Sequence, residues 1–300
     1  MKNEATPSQL AKPDFRRDGA VADPDLLIGS ILVTSGRLSV PDAEKIMRYQ
    51  VEHNLRFGDA GAALSLLTTA DIEFGLSRQF EYPYLLRGES DISEEVIAAF
   101  DPFSPRVEAL RALRNQLMWR WFETGPALRA LAITSAQRGE GRSLMAANLA
   151  VVFAQQGQRT LLIDADMRNP QQHKLFSLEN RAGLSSILSS RCGADAIQRV
   201  TALRNLSVLT AGPLPPNPLE LLGRPMFAGM VCQLSSEFDV VLIDTPPGTE
   251  YADAQTVAAR VGAAIILTRQ DKSQLRKVQE LAGMLAEARV HVVGTVLNQY

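Results

Sequence analysis

Three hundred residues, 46% of them hydrophobic and 21% charged, suffice for about two globular domains with their own cores. A net charge of −2 excludes bulk affinity for nucleic acid. The first ten residues lack the apolar centre of a signal peptide, and no apolar run approaches the roughly 18 residues that span a bilayer, so no direct membrane span is expected and any membrane association must come through a partner.

Residues 1–24 are polar, mixed in charge and interrupted by Pro7, Pro13 and Pro24, and they read as a flexible tail. Residues 25–86 contain a repeat. Ile28-Gly29, Leu38-Ser39, Asp42 and Gln50 recur 29 residues later as Phe57-Gly58, Leu67-Thr68, Asp71 and Gln79. Each copy fits a short helix, a Ser or Thr helix start (Ser39, and Thr68 or Thr69) and a second helix. Two amphipathic helical hairpins packed on each other, with glycines for close approach, account for this pattern.

Residues 87–103, with Gly88, several acidic residues and Pro102, read as a linker leading into a helix. The pattern from Arg106 to Trp121 is helical and places Arg111 and Arg114 three and six residues after Glu108. These charges are either a solvated face with local ion pairs or a subunit contact. Cys192 and Cys232 have no metal-binding or redox spacing and read as reduced thiols.

From residue 128 apolar strand runs and helical patterns alternate. Strands are expected near 130–134, 159–163, 206–210, 239–243, 263–267 and 290–297. Helices are expected near 142–156, 183–190, 218–234, 252–261 and 273–288. Gly157 and Gly262 suit helix C-termini, and Asn217-Pro218 suits a helix start. The alternation predicts an α/β domain over 104–300, with a mostly parallel sheet covered by helices on both faces.

Between the first strand and its helix lies Ala136-Gln-Arg-Gly139-Glu140-Gly141-Arg142-Ser143. Backbone N–H groups that turn inward around phosphate oxygens need the conformations Gly139 and Gly141 allow. The helix opening near Arg142 adds its positive end. The cation after Gly141 should reach the terminal phosphates, and the Ser143 hydroxyl should ligate magnesium. The usual lysine is here Arg142, a planar fork and not a point ammonium. An ordinary glycine-rich turn would show similar letters, so two other segments decide. Thr160–Ile163 ends in Asp164-Ala165-Asp166, and Asp239–Ile243 ends in Asp244-Thr245-Pro246-Pro247. Both put carboxylates beyond the carboxyl end of a strand, where parallel α/β sheets bind ligands. One such carboxylate can hold Mg²⁺ and another can orient or deprotonate the attacking group. The whole reads as a P-loop NTPase fold preceded by a small helical repeat domain.

Taken together, these motifs resemble the bacterial tyrosine kinases of polysaccharide synthesis, nearest to the EpsG-type chain-length-determinant kinases. The likeness covers about residues 100–300 and includes Gly139–Ser143, Leu162–Arg168, Arg168-Asn-Pro170-Gln-Gln-His173, Pro215–Pro218, Ile243–Pro246 and Val296-Leu297-Asn298. The resemblance implies ATP and Mg²⁺ as cofactors. It implies that Gly139, Glu140, Gly141, Arg142, Ser143 and Leu144 bind the nucleotide, with Gly139, Gly141 and Arg142 on its β- and γ-phosphates and Asn298 near the adenine. It implies that Ser143, Asp164 and Asp244 hold the metal, directly or through water, and that Asp164 acts on the attacking tyrosine hydroxyl, with Arg142 as a further catalytic group and Asp166 as a second metal-side carboxylate. His173 falls at a family position, although a hydrogen-bonded histidine after a turn fits equally. Glu108, Arg111 and Arg114 match the motif that forms homo-oligomeric rings. A membrane-anchored chain-length determinant is the implied activator, which places the chain in the cytoplasm, peripheral at the inner membrane. Tyr300 is the only tyrosine near the end, where the family carries a tyrosine-rich tail.

The repeats resemble the N-terminal domain of type II secretion and pilus ATPases, including Tyr82-Pro83-Tyr84. Some members bind cyclic di-GMP through an arginine-hydrophobic-glycine start in each copy. Here the second copy has Arg56-Phe57-Gly58 but the first has Leu27 before Ile28-Gly29, so half of those phosphate contacts are missing and a docking role is favoured. A partitioning-type ATPase switch without tyrosine transfer, and a nucleotide-binding pseudokinase adaptor, are the competing functional readings.

Overall fold

The computed structural model describes residues 27–79, 84–125 and 128–299. The expected tail, Tyr82-Pro83 and Tyr300 lie outside them. The chain divides into two compact units between Tyr82 and Pro83.

Among the described residues the first unit holds four helices: α1 (Ile28–Thr34), α2 (Val40–His53), α3 (Phe57–Ala63) and α4 (Thr69–Gln79). The 29-residue displacement in the sequence is reproduced in the hydrogen bonds. Ser39 Oγ accepts from Asp42 N, and Thr68 Oγ1 accepts from Asp71 N, each at 3.2 Å. The Leu38 amide reaches Leu32 O and the Leu67 amide reaches Gly61 O, again both at 3.2 Å. Each side-chain cap contributes about 1 kcal/mol. The core joins Leu32, Leu38, Ile46, Ala60 and Leu67, from both copies. Glycine is required where α1 meets α4: a Cβ on Gly75 would lie 2.3 Å from Ile28 Cγ1.

The second unit begins with a stretch expected to be linker. Ile92, Val96, Ala98, Ala99 and Phe100 are instead buried in the core, and Ile97–Phe100 forms α5. The reason is pairing from the following domain: Ala98 N donates to Asn148 Oδ1 and Ala98 O accepts from Gln155 Nε2, at 2.9 and 2.8 Å. These residues therefore wall the core and do not act as a spacer. Helix α6 (Pro105–Arg120) is capped by Ser104, whose Oγ accepts from Val107 N.

There follow β1 (Ala130–Ser135), α7 (Arg142–Gln155), β2 (Thr160–Asp164), α8 (Gln172–Leu175), α9 (Leu184–Leu188), β3 (Gln198–Arg199), β4 (Leu206–Leu209), α10 (Pro218–Gly223), α11 (Pro225–Glu237), β5 (Val240–Asp244), α12 (Asp253–Val261), β6 (Ala263–Arg269), α13 (Leu275–Glu287) and β7 (His291–Asn298). The seven-stranded sheet has the order β3-β4-β2-β5-β1-β6-β7. Every pairing is parallel except β3 with β4. Side-chain alternation splits the core between the two faces. Leu131, Ile133, Leu162 and Leu242 join α5, α6 and α7. Ala130, Ala132, Leu161, Ile163 and Val241 join α11, α12 and α13. This is the expected P-loop architecture, helices on both faces of a mostly parallel sheet.

Two differences have local causes. The helix expected over 218–234 is two helices, because Arg224 precedes Pro225 and takes an extended ψ of 147°, which the proline ring enforces and from which α11 restarts. The antiparallel β3 was not expected; two residues are too few to show a period. Gly157 and Gly262 end α7 and α12 at φ +94° and +86°, as expected.

Candidate nucleotide site

The site sits at the carboxyl ends of the three central strands. Asp164 ends β2, Asp244 ends β5 and Ser135 ends β1, and the register pairs Asp164 with Asp244 and Asp244 with Ile133. The loop after Ser135 turns through Gly139 at φ +73° and Gly141 at φ +93°, both closed to most side chains. A Cβ on Gly141 would also lie 2.6 Å from Asn298 Nδ2. Helix α7 opens directly after Gly141, so its unpaired amides face the loop.

A cleft of about 250 Å³ opens here, lined by Arg138, Gly139, Gly141, Arg142, Ser143, Leu144 and Asp166 among others. Five of the six loop residues expected to bind the nucleotide thus line one cavity. Glu140 is the exception. It is fully buried, its Oε2 accepts from Gln137 N at 2.7 Å, and its Oε1 is bonded to Ser273 Oγ. Its carboxylate braces the loop. Asn298 is also a brace, donating from Nδ2 to Glu140 O at 3.2 Å, and Arg269 Nη1 donates to Gly139 O at 3.0 Å.

Arg142 is 7% exposed, and its Nε and Nη1 are hydrogen-bonded. Nε donates to Thr245 O at 2.7 Å, and Nη1 reaches Ser135 Oγ and, at 3.1 Å, Gln137 O. Nη2 lies 3.8 Å from Asp166.

The three carboxylates have different surroundings. Asp164 is fully buried. Its Oδ2 accepts from the amides of Gln171 and Gln172, both at 3.0 Å, and its Oδ1 from Asp166 N at 3.2 Å. It caps the start of α8 and does not line the cleft, whereas Asp166 does. Asp164, expected to act on the attacking hydroxyl, is thus fully buried with backbone donors on both oxygens, whereas Asp166 lies on the cleft wall. Burial and the neighbouring Asp244 charge push the Asp164 pKa well up. Burial also raises Asp244, to about 6, against the pull of Arg142, the Ser143 hydroxyl and the Gln172 amide. Asp166 is raised more mildly, by burial opposed by the Asn169 amide and Arg142.

Asp244 Oδ1 is buried with no hydrogen-bond partner, while Oδ2 accepts from Gln172 Nε2 at 2.8 Å. A bare carboxylate oxygen beside Ser143, with a second buried carboxylate on the adjacent strand, fits a hard divalent cation. Magnesium binds through one or two carboxylates plus phosphate oxygens, so it needs no protein cage here. Gln172 is the functional residue that sequence reading missed. Its Nε2 bridges Asp244 Oδ2 and Ser143 O, at 2.8 and 3.0 Å. It lies inside the quoted Arg168–His173 motif, which was the available signal. His173 itself is half-buried, its Nδ1 has no partner, and desolvation and Lys174 lower its pKa. A hydrogen-bonded histidine is thus not what the structure contains.

Residues 127–300 match the ParA family, described as NUBPL iron-transfer P-loop NTPase. The tyrosine-protein kinase YwqD of Bacillus subtilis is 35% identical over 70% of this chain and 87% of its own length. The chain belongs to the ParA-type P-loop NTPases, among the bacterial tyrosine-protein kinases. Two solved structures of that family are similar: the chimerical protein CapA2B2 (34% identity, TM-score 0.65, covering 76% of this chain and 99% of that one) and the kinase domain of Escherichia coli tyrosine kinase ETK (34%, TM-score 0.65, 68% and 79%). Among the described residues no helix is long and apolar enough to cross a membrane.

The residues expected to make a ring contact have partners within the chain. Arg111 Nη2 donates to Pro102 O at 2.6 Å and Arg114 Nη1 to Val152 O at 3.1 Å, tying α6 down. Glu108 pairs with Arg111 at 3.0 Å but its side chain is 71% exposed. Of the three, Glu108 is the one presented outward.

Proposed function

We propose that the chain is an ATP-dependent protein tyrosine kinase subunit that regulates exopolysaccharide polymerisation or export together with a membrane-anchored chain-length determinant. The observation that carries this reading is the unpartnered Asp244 Oδ1 set beside Ser143 at the mouth of a phosphate loop. Ser143 and Asp244 would hold Mg²⁺, with Asp164 adding charge behind them. When bound, the ion neutralises charge developing on the transferred phosphoryl group. Gln172 orients Asp244 by holding one of its oxygens. Asp166, on the cleft wall, accepts the proton of the incoming tyrosine hydroxyl, and Arg142, 3.8 Å away, offsets part of the burial that raises its pKa. Asp164, by capping α8, fixes the segment that carries Gln172. The Asn298 end of β7 frames the adenine side.

In this reading the subunits assemble through α6, with Glu108 reaching a neighbour. The subunit works in the cytoplasm and reaches the inner membrane through its activator. The repeat unit serves docking; Leu27 in place of an arginine removes half of the contacts a cyclic di-GMP site would use.

The ParA match favours one alternative, an ATPase switch without tyrosine transfer. Incubating the protein with Mg·ATP and the cytoplasmic segment of a chain-length determinant separates the two. Phosphotyrosine that disappears in Asp166→Asn supports the kinase. Phosphate release without phosphotyrosine supports the switch.

A further inference from the structure

The P-loop cation is normally the side chain that meets the terminal phosphate. In this chain that side chain is committed elsewhere. Arg142 is buried and spends Nε on Thr245 O and Nη1 on Ser135 Oγ and Gln137 O. Releasing it would strand the buried Thr245 carbonyl and break the bonds that tie the loop at Ser135 and Gln137. The cleft wall holds a second guanidinium with none of these ties. Arg138 lies on the same loop, lines the same cavity as Ser143 and Asp166, and its side chain is 55% exposed. Its partners are at the rim: Nε pairs with Glu250 Oε2 at 2.9 Å and Nη2 donates to Tyr251 Oη at 3.2 Å. Glu250 is itself 38% exposed, and an ion pair so hydrated is held weakly. Tyr251 is held from its other partner, Arg168, whose guanidinium carbon sits 4.3 Å from the ring centroid while its fork pairs with Asp253. The ring therefore stays in place when Arg138 leaves.

Lys272 also approaches the loop, since a Cβ on Gly139 would lie 2.3 Å from its Nζ, but it does not line the cleft. Arg269 is held by Gly139 O.

We propose that Arg138 is a catalytic residue that contacts the terminal phosphate of a bound nucleoside triphosphate, exchanging Glu250 for the phosphate when the nucleotide arrives. Glu250 is then a competitor that holds the arginine off the empty site. This deepens the proposed function and rests on it. The predicted signature is discrimination between tri- and diphosphate, because only the triphosphate offers the oxygen that Arg138 takes.

The test measures binding of Mg²⁺ with a non-hydrolysable ATP analogue and of Mg·ADP to the full chain, by calorimetry, with thermal melts to confirm folding. Arg138→Ala should weaken the triphosphate about tenfold, the scale of one charge-assisted hydrogen bond, and leave ADP unchanged. Glu250→Gln should strengthen the triphosphate several-fold, and this gain should vanish when combined with Arg138→Ala. Equal loss for both nucleotides, no loss for either, or a Glu250→Gln gain that survives without Arg138 overturns the proposal. If the parent chain binds neither nucleotide, the proposed function falls with it, and that result is visible before any variant is made.

Discussion

Asp244→Asn should make the metal-free protein more stable and the magnesium-dependent gain disappear. The Asp244 carboxyl is fully buried and raised from an ordinary 3.8 to about 6, first by burial. A raised acid binds its proton more tightly in the fold than in the unfolded chain. Below about 4 both forms are protonated and the fold carries no penalty; above about 6 both are ionised and it carries all of it. Metal-free stability therefore falls as pH rises through that window. The full penalty at pH 7 is roughly 3 kcal/mol. Asparagine removes it and still accepts from Gln172, but its amide N–H replaces the unpartnered Oδ1 and costs about 1 kcal/mol. The net gain is roughly 2 kcal/mol, or about 4–8 °C in melting temperature for a domain of this size. Melts with EDTA between pH 4 and pH 8 read the slope, which should shrink without vanishing because Asp164 is raised too. Melts with Mg·ADP read the lost metal contact. A variant less stable than its parent at pH 7 in EDTA, or one that keeps the whole magnesium gain, would refute the reasoning.

Arg142→Lys should lower metal-free stability by about 1–2 kcal/mol in urea titrations, since an ammonium cannot serve Thr245 O, Ser135 Oγ and Gln137 O with one planar fork. Equal stability would show that the fork is not a brace. Gln172→Ala should cost a similar ~1–2 kcal/mol and weaken Mg·ADP binding, because it releases both Asp244 Oδ2 and Ser143 O; a change in melting alone would reduce it to a packing residue. Glu108→Ala should leave the melt unchanged but lower assembly in sedimentation, whereas Arg114→Ala should cost about 1 kcal/mol of stability through the lost Val152 O contact. Assembly that is indifferent to Glu108 would end its contact role.

What could be read before the structure follows from which interactions are local. Runs such as Leu131–Ile133 and Leu161–Ile163 are buried on both sheet faces, so they carry a continuous apolar signal. The repeat was legible because its caps and glycines recur at one spacing. The break at Arg224-Pro225 was equally local and could have been read from the proline. Other features depend on residues far apart. Glu140 looks like a ligand contact until Ser273, 133 residues away, is brought to it. Arg111 and Arg114 look like surface charge until backbone carbonyls of Pro102 and Val152 arrive beside them. Asp164 looks like a free strand-end carboxylate because α8 is four residues long and shows no period.

The arginine at position 142 connects these observations. A lysine would place one hydrated charge in the loop. The guanidinium instead joins the ends of β1 and β5 through Ser135 and Thr245 and closes the loop at Gln137. It sits beside Asp166 and offsets the charge of Asp244, so it lowers the cost of burying those two acids together. A side chain used in that way cannot also leave its partners to follow a phosphate. The loop must then find its phosphate cation elsewhere, on a side chain with weak and exposed ties. Arg138 has those ties, which is why tri- versus diphosphate discrimination is expected to respond to position 138 and metal-free stability to position 142. If the two substitutions affected both measurements alike, the division of labour between the arginines would fail.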